Sequence, residues 1–153
     1  MPKCYQLIGV PGSGKTTWVQ NQTWVADCII VSTDEFVEEY AKAQDKTYSD
    51  VFNSYMPTAV NLMAKKVIEA RTAGKDIIWD QTSTTVKSRA RKFNMLPKYE
   101  HIAVVFSTPS RLELKRRLEN RPGKIIPYAI IEGMLTSFEM PTVEEGFADI
   151  WRI

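Results

Sequence analysis

At 153 residues, 44% of them hydrophobic and 25% charged, the chain is long enough to bury a sizeable core and too balanced in composition to be a disordered tract. Two cysteines, Cys4 and Cys28, exclude a disulfide framework and a Cys-only zinc site. The lone His101 excludes a multi-His metal site, so acid–base chemistry at neutral pH falls to carboxylates, lysines or a bound metal. The net charge of +2 conceals an asymmetry: residues 85–124 hold eleven Lys or Arg against three Glu, a local +8, leaving −6 on the other 113 residues and pointing to an anionic partner, phosphates first.

No apolar stretch approaches the ~18–20 residues of a membrane span, and Met1-Pro2-Lys3 opens no signal-peptide core, so no membrane association and a cytoplasmic location are expected. Strand and helix signals alternate throughout, which predicts an α/β fold with a mainly parallel sheet of about five strands, one domain over residues 1–153. The first strand is Cys4 to Ile8, followed by a glycine-rich turn and a helix from about Lys15 to Trp24. Cys28 to Val31 reads as a buried strand, and Ser32-Thr33-Asp34 caps a helix with Phe36, Val37, Tyr40 and Ala41 on one side. Residues 44–56 are polar with aromatics at Tyr48, Phe52 and Tyr55. Pro57 is expected to start a helix carrying Val60, Met63, Ala64, Val67, Ile68 and Arg71, with Gly74 as its C-cap.

A third strand spans Asp76 to Asp80, and a helix over about Thr85 to Leu96 turns Val86, Ala90 and Phe93 inward. His101 opens the fourth strand, Ile102 to Phe106, where a structural role is expected for it; a helix from Pro109 to about Asn120 follows. Arg121-Pro122-Gly123-Lys124 has Pro and Gly where a type II turn needs them. A last helix starts near Pro127, Pro141 begins a further turn, and residues 150–153 complete the series as a possible fifth strand.

Gly9-Val10-Pro11-Gly12-Ser13-Gly14-Lys15-Thr16 fits G-x-x-x-x-G-K-[ST] in full, between a predicted strand and a predicted helix, which is the context the motif requires. Glycines at 12 and 14 let successive N–H groups turn inward as an anion nest, and the helix start adds its positive dipole end. Gly12, Ser13, Gly14, Lys15, Thr16 and Thr17 are therefore the expected nucleotide-binding residues, with Lys15 on the β- and γ-phosphates and the Thr16 hydroxyl on Mg²⁺. The expected fold sharpens to a P-loop NTPase-type three-layer α/β/α arrangement with a helical lid. There is too little chain beyond a nucleotide domain for a motor, and no guanine-reading N-K-x-D run occurs. A small kinase remains, which needs a carboxylate beside the acceptor hydroxyl and cations around the transferring phosphoryl group.

Asp34 follows the second strand and Asp80 ends the third, so parallel strands bring both to the rim of the phosphate loop. Asp34 is the expected general base; Asp80 either holds a Mg²⁺-bound water or orients the acceptor, and both also suit capping roles. At 100° per residue Leu114, Arg117, Leu118 and Arg121 share a helix face, which sets Arg117 and Arg121 toward the donor phosphates at the base of a mobile loop. The helix Lys87 to Lys92 can track a nucleic-acid backbone, and Tyr48, Phe52 and Tyr55 offer either a stacking surface or core packing.

These residues resemble the P-loop polynucleotide 5′-hydroxyl kinases over nearly the whole chain. Residues 9–16 resemble their phosphate loop, and Asp80-Gln81-Thr82 with Ser88-Arg89-Ala90-Arg91 resembles the D-x-T-N…S-R-A-R stretch of the animal kinase domains. Asn120-Arg121 resembles the lid N-R, and Phe138 to Ile150 is similar to F-E-x-P-T-x-x-E-G-F-x-x-I. The resemblance implies ATP- and Mg²⁺-dependent transfer of a γ-phosphoryl group to the 5′-hydroxyl of DNA or RNA. Its catalytic residues would be Asp34, Lys15 and Arg121, its acceptor-binding residues Asp34, Asp80, Thr82 and Arg89, and no phosphatase domain would accompany it. The sequence departs from the family at Ser32-Thr33-Asp34, where it usually reads N-R-D, and at Val37, where the phage enzymes carry Arg. The alternative acceptors are a hydroxymethylated base in DNA and a nucleoside or other small hydroxyl compound; the alternative outside catalysis is an ATP-sensing binding module.

Overall fold

The structure of the protein, a computed structural model, describes residues 1–153. Five strands, β1 (Lys3–Ile8), β2 (Ile29–Val31), β3 (Ile77–Trp79), β4 (Glu100–Val105) and β5 (Phe147–Arg152), pair in the order β2-β3-β1-β4-β5, all in parallel. The helices are α1 (Lys15–Gln20), α2 (Asp34–Ala43), α3 (Tyr48–Thr72), α4 (Val86–Met95), α5 (Arg111–Glu119) and α6 (Tyr128–Ser137). No helix is long and apolar enough to cross a membrane.

β1 lies at the centre, and every residue from Cys4 to Val10 is buried, which explains a run without polar alternation. One sheet face, with Cys4, Val31, Ile77 and Trp79, packs under Met63, Val67 and Ala70 of α3. The other, with Tyr5, Leu7, Ile78 and Val104, packs under Val19 of α1 and the indoles of Trp18, Trp24 and Trp151. A six-residue helix covers little of a five-stranded sheet, so the tryptophans supply the missing area: the Tyr5 ring sits 4.8 Å from Trp24 and 5.5 Å from Trp151. The strand order reverses at β1, and the phosphate loop leaves its carboxyl end at that switch point.

Four elements differ from expectation, the last strand among them, which starts at Phe147 rather than residue 150. The first helix stops at Gln20, and Trp24–Asp27 forms a separate 3-10 turn. The long helix starts at Tyr48 rather than Pro57. Thr47 accepts from the Asp50 N–H (3.2 Å) while Asp50 Oδ2 accepts from the Thr47 N–H (3.0 Å), a reciprocal cap that fixes the first turn nine residues before the proline. Pro57 sits inside α3 and has no N–H for the Asn53 carbonyl. The buried face of α3 is Ala59, Met63, Val67 and Ala70, leaving Val60 and Ile68 exposed.

α4 is rotated relative to the expected face: Val86 and Ala90 are exposed, whereas Arg89 and Lys92 are buried. Arg89 donates from Nε and Nη2 to Glu145 (2.8 and 3.2 Å) and from Nη1 to the Ser83 carbonyl (2.9 Å). Lys92 Nζ reaches the Ser88 carbonyl and lies 5.2 Å from the Trp79 ring centroid. Arg89 was expected at the acceptor; the structure instead places its side chain, fully buried, in an ion pair with Glu145 and outside the cleft.

His101 has the structural role expected of it. Its Nδ1 accepts from Gln6 Nε2 (3.0 Å) and its Nε2 donates to the Leu96 carbonyl (2.9 Å), so one neutral tautomer satisfies both; burial pushes its pKa down, against the pull of the Leu96 bond.

Candidate active site

The phosphate loop is built on β1 and α1. Gly12 and Gly14 adopt φ of +84° and +99°, left-handed conformations that carry the chain around and aim its N–H groups inward. The first helical bond of the segment is Trp18 N–H to the Gly14 carbonyl, so the N–H groups of Lys15, Thr16 and Thr17 point free from the helix start. The Ser13 Oγ is buried with no hydrogen-bond partner, an orphan donor that a phosphate oxygen would satisfy. Lys15 Nζ folds back onto the Gly9 and Val10 carbonyls (2.8 and 3.0 Å). Burial lowers its pKa to about 8; Asp80 and Asp34 pull it up, Arg121 and Lys124 push it further down.

Those four groups all act on Lys15 because they share one cleft of about 1170 Å³, larger than the roughly 300–1000 Å³ that houses one small ligand. It is lined by residues 11–18, by Thr33, Asp34, Asp80, Gln81 and Thr82, and by Arg117, Arg121 and Lys124. Every expected site residue except Arg89 reaches this cleft. Parallel pairing is the reason: β1, β2 and β3 run in one direction, so residues 9, 32 and 80 leave the sheet on the same side. The Thr82 carbonyl accepts from the Gly9 N–H (3.0 Å), tying the loop after β3 to the phosphate loop.

Two carboxylates stand here in unlike environments. Burial pushes Asp34 up, but Lys124 and the Tyr48 hydroxyl, helped by Arg121, outweigh it and hold the carboxyl below its ordinary range. Asp80 is pushed up by burial and by Asp34, with Lys15 and the Thr16 hydroxyl pulling against it. The lowered pKa keeps Asp34 ionised, the state a proton acceptor needs. No three His, Cys, Asp or Glu side chains gather as a metal cage. The Thr16 hydroxyl and the Asp80 carboxylate suit an ion such as Mg²⁺, which takes one or two protein oxygens and completes its shell with phosphates and water.

The lid is the segment joining α5 to α6. Pro122-Gly123 makes the expected turn, with Gly123 at φ +70° and the Lys124 N–H on the Arg121 carbonyl (3.3 Å). Arg117 shares Glu113 with Arg116 and donates from Nη1 to the Gly12 carbonyl (2.9 Å), bridging α5 to the phosphate loop. Arg121 faces the cleft with no ion-pair partner in the chain. Tyr48 and Phe52 line the cleft with rings 5.4 Å apart, whereas Tyr55 stacks on Tyr40 at 3.9 Å between α2 and α3, so the aromatic trio divides between site and core.

Sequence reasoning missed the partners of Asp34. Tyr48 Oη donates to its Oδ1 (2.6 Å) and Lys124 Nζ to its Oδ2 (2.9 Å). The only signals were an aromatic beside a capping box and a lysine just after a Pro-Gly turn. Val37 is fully buried against Ala41, Val51 and Ala59, so a cation reaches Asp34 from the lid rather than from α2.

The family described as AAA domain matches residues 6–141. Among curated proteins, the bifunctional polynucleotide phosphatase/kinase of Schizosaccharomyces pombe is 27% identical over 96% of this chain; the chain spans about a third, 32%, of that relative's length. Among solved structures, a putative kinase from Chloroflexus aurantiacus superposes with a TM-score of 0.72 at 16% identity, covering 99% of this chain and 87% of its own. The shikimate kinase of Acinetobacter baumannii, solved with shikimate, superposes with a TM-score of 0.55 at 17% identity, covering 98% and 82%. With a matched segment that runs from within β1 to beyond α6 and takes in the phosphate loop, both cleft carboxylates and the lid, the chain belongs to the AAA-domain family and has the P-loop kinase fold.

Proposed function

We propose that this domain transfers the γ-phosphoryl group of ATP to the 5′-hydroxyl end of a polynucleotide. The observation that carries the reading is the convergence, in one cleft, of a phosphate loop, an ionised Asp34 and the unpaired Arg121. The similarity to the phosphatase/kinase of S. pombe supports the acceptor class. The backbone N–H groups of residues 14–17 and Lys15 bind the donor phosphates. Asp34 orients the acceptor hydroxyl and takes its proton as the new P–O bond forms and the bond to ADP breaks. Arg121 meets the charge developing on the transferring group. Thr16 and Asp80 would hold a Mg²⁺ ion, which would supply charge neutralisation for the donor phosphates. Asp34→Asn is expected to slow transfer by roughly 10²–10⁴ while ATP affinity stays within about twofold.

Incubation with γ-labelled ATP and 5′-OH oligonucleotides tests the acceptor directly; ATP bound without label transfer overturns it. A second reading, a kinase of a small hydroxyl compound or of a hydroxymethylated base, is favoured by Val37 and Thr33, both buried, and by Arg89 lying in the core. Label appearing in a 5′-blocked, base-modified duplex or in a metabolite panel selects it. Binding of ATP with no transfer to any acceptor would leave the ATP-sensing module.

A further inference from the structure

Asp34 is half-exposed to the cleft, yet both of its oxygens are taken, by partners of different kinds. Tyr48 is anchored: it opens α3 directly after the Thr47–Asp50 cap, and its ring lies against Phe52. Lys124 belongs to the lid. The lid loop is held to the start of α3 through Ser49, whose N–H donates to the Gly123 carbonyl (3.0 Å) and whose Oγ accepts from the Ile125 N–H (2.8 Å). The Lys124 ammonium lies 4.4 Å from the Tyr48 ring centroid and 3.4 Å from Glu38 Oε1, so it has weaker partners beside the strong one.

A carboxylate can accept a proton from a bound hydroxyl only through an oxygen that the hydroxyl reaches. With Oδ1 held by a residue fixed in a helix, the oxygen that can be vacated is Oδ2. We propose that Tyr48 and Lys124 are positioning residues for Asp34: Tyr48 fixes Oδ1, and Lys124 occupies Oδ2, the proton-accepting oxygen, until an acceptor hydroxyl replaces it. The proposal rests on Asp34 being the base of the transfer described above.

The arrangement separates an acceptor from water. A phosphodiester carried next to the acceptor hydroxyl offers the Lys124 ammonium a new partner, while water brings no charge and leaves Lys124 on Oδ2. ATP bound without an acceptor is thereby protected from hydrolysis. Electrostatics run the same way. Asp34 is faced by Lys124 and Arg121 from the lid, Lys15 from α1, Tyr48 from α3, Glu38 from its own helix and Asp80 from the end of β3. Burial is the strongest influence on its carboxyl and acts upward, so departure of Lys124 strengthens the base as the acceptor arrives.

The test is the rate of ATP hydrolysis with no acceptor present, measured on the whole chain with ATP binding followed by calorimetry. Lys124→Met is expected to raise hydrolysis about fivefold or more, with the γ-phosphoryl passing to water and the water proton to Asp34 Oδ2. The Asp34→Asn/Lys124→Met double variant is expected to lose that gain. Hydrolysis unchanged or lower in Lys124→Met, or a gain that survives in the double variant, overturns the proposal. Should Lys124→Met fail to bind ATP, Lys124→Gln carries the same comparison. Tyr48→Phe is expected to lower kcat for whichever acceptor is phosphorylated by about tenfold, leave ATP affinity within about twofold, and move the acidic limb of the pH–rate profile upward. Unchanged kcat and limb remove Tyr48 from the role. Because hydrolysis needs only ATP and water, failure on every 5′-OH oligonucleotide alongside a gain in Lys124→Met retires the polynucleotide reading and keeps this one.

Discussion

Lys15 illustrates how one side chain is tuned by its surroundings. Burial strips water from the ammonium and brings its pKa to about 8, with its two loop carbonyls as substitutes for solvent. Donor phosphates favour the charged form, so the pKa of Lys15 climbs in the complex. ATP binding then takes up a proton wherever the pH exceeds the unliganded value, and affinity falls as pH rises above about 8. Calorimetry at pH 8 and 9.5, in buffers of different ionisation enthalpy, is expected to show about tenfold weakening and net proton uptake at the higher pH. A flat profile would contradict the assignment. Lys15 was legible because eight consecutive residues specify its surroundings. The pairs around Asp34 were not: Tyr48 is 14 residues away and Lys124 90, and no local pattern relates them.

Elements carry the site through their ends. α3 supplies Tyr48 and Ser49 from its first turn, so the cap at Thr47 also holds the partners of Asp34 and of the lid loop. Thr47→Ala is expected to cost about 0.5–2 kcal/mol in urea denaturation and to lower acceptor kcat/KM, with ATP affinity unchanged. Transfer equal to the parent at the same loss of stability would show that the first turn holds Asp34 without its cap. The start of this helix was readable in Thr47-x-x-Asp50, but Pro57 competed as a start signal; tertiary packing of Val51 and Tyr55 against α2 extends the helix through the proline. In α4 the period was correct and the face was not. Aliphatic positions were expected inward, and the partly buried Glu145 instead draws Arg89 in, because a carboxylate largely withdrawn from water needs a cation more than the core needs another methyl group.

At the scale of the molecule the basic block loses much of its charge to pairing. Five of its eleven cations, Arg89, Arg111, Arg116, Arg117 and Lys124, meet carboxylates, most of them from outside the block. Arg121 remains free at the cleft. The Arg89–Glu145 pair joins α4 to the turn before β5 with the Arg89 side chain fully buried. Arg89→Ala is therefore expected to cost about 3–5 kcal/mol in chemical denaturation, and Arg89→Met/Glu145→Leu to recover most of it, with ATP affinity unchanged in whatever remains folded. A stable Arg89→Ala with a raised acceptor KM would restore the acceptor role the sequence implied. The alternation of strand and helix, the parallel sheet, the phosphate loop and the carboxylates at the strand ends all follow from the sequence by itself, since each depends on local period or on the shared direction of parallel strands. Strand order, the inward turn of Arg89, the cap on α3 that outcompetes Pro57 and the two partners of Asp34 were decided only in the tertiary structure. They depend on which distant charges and surfaces meet, and sequence spacing carries no record of that.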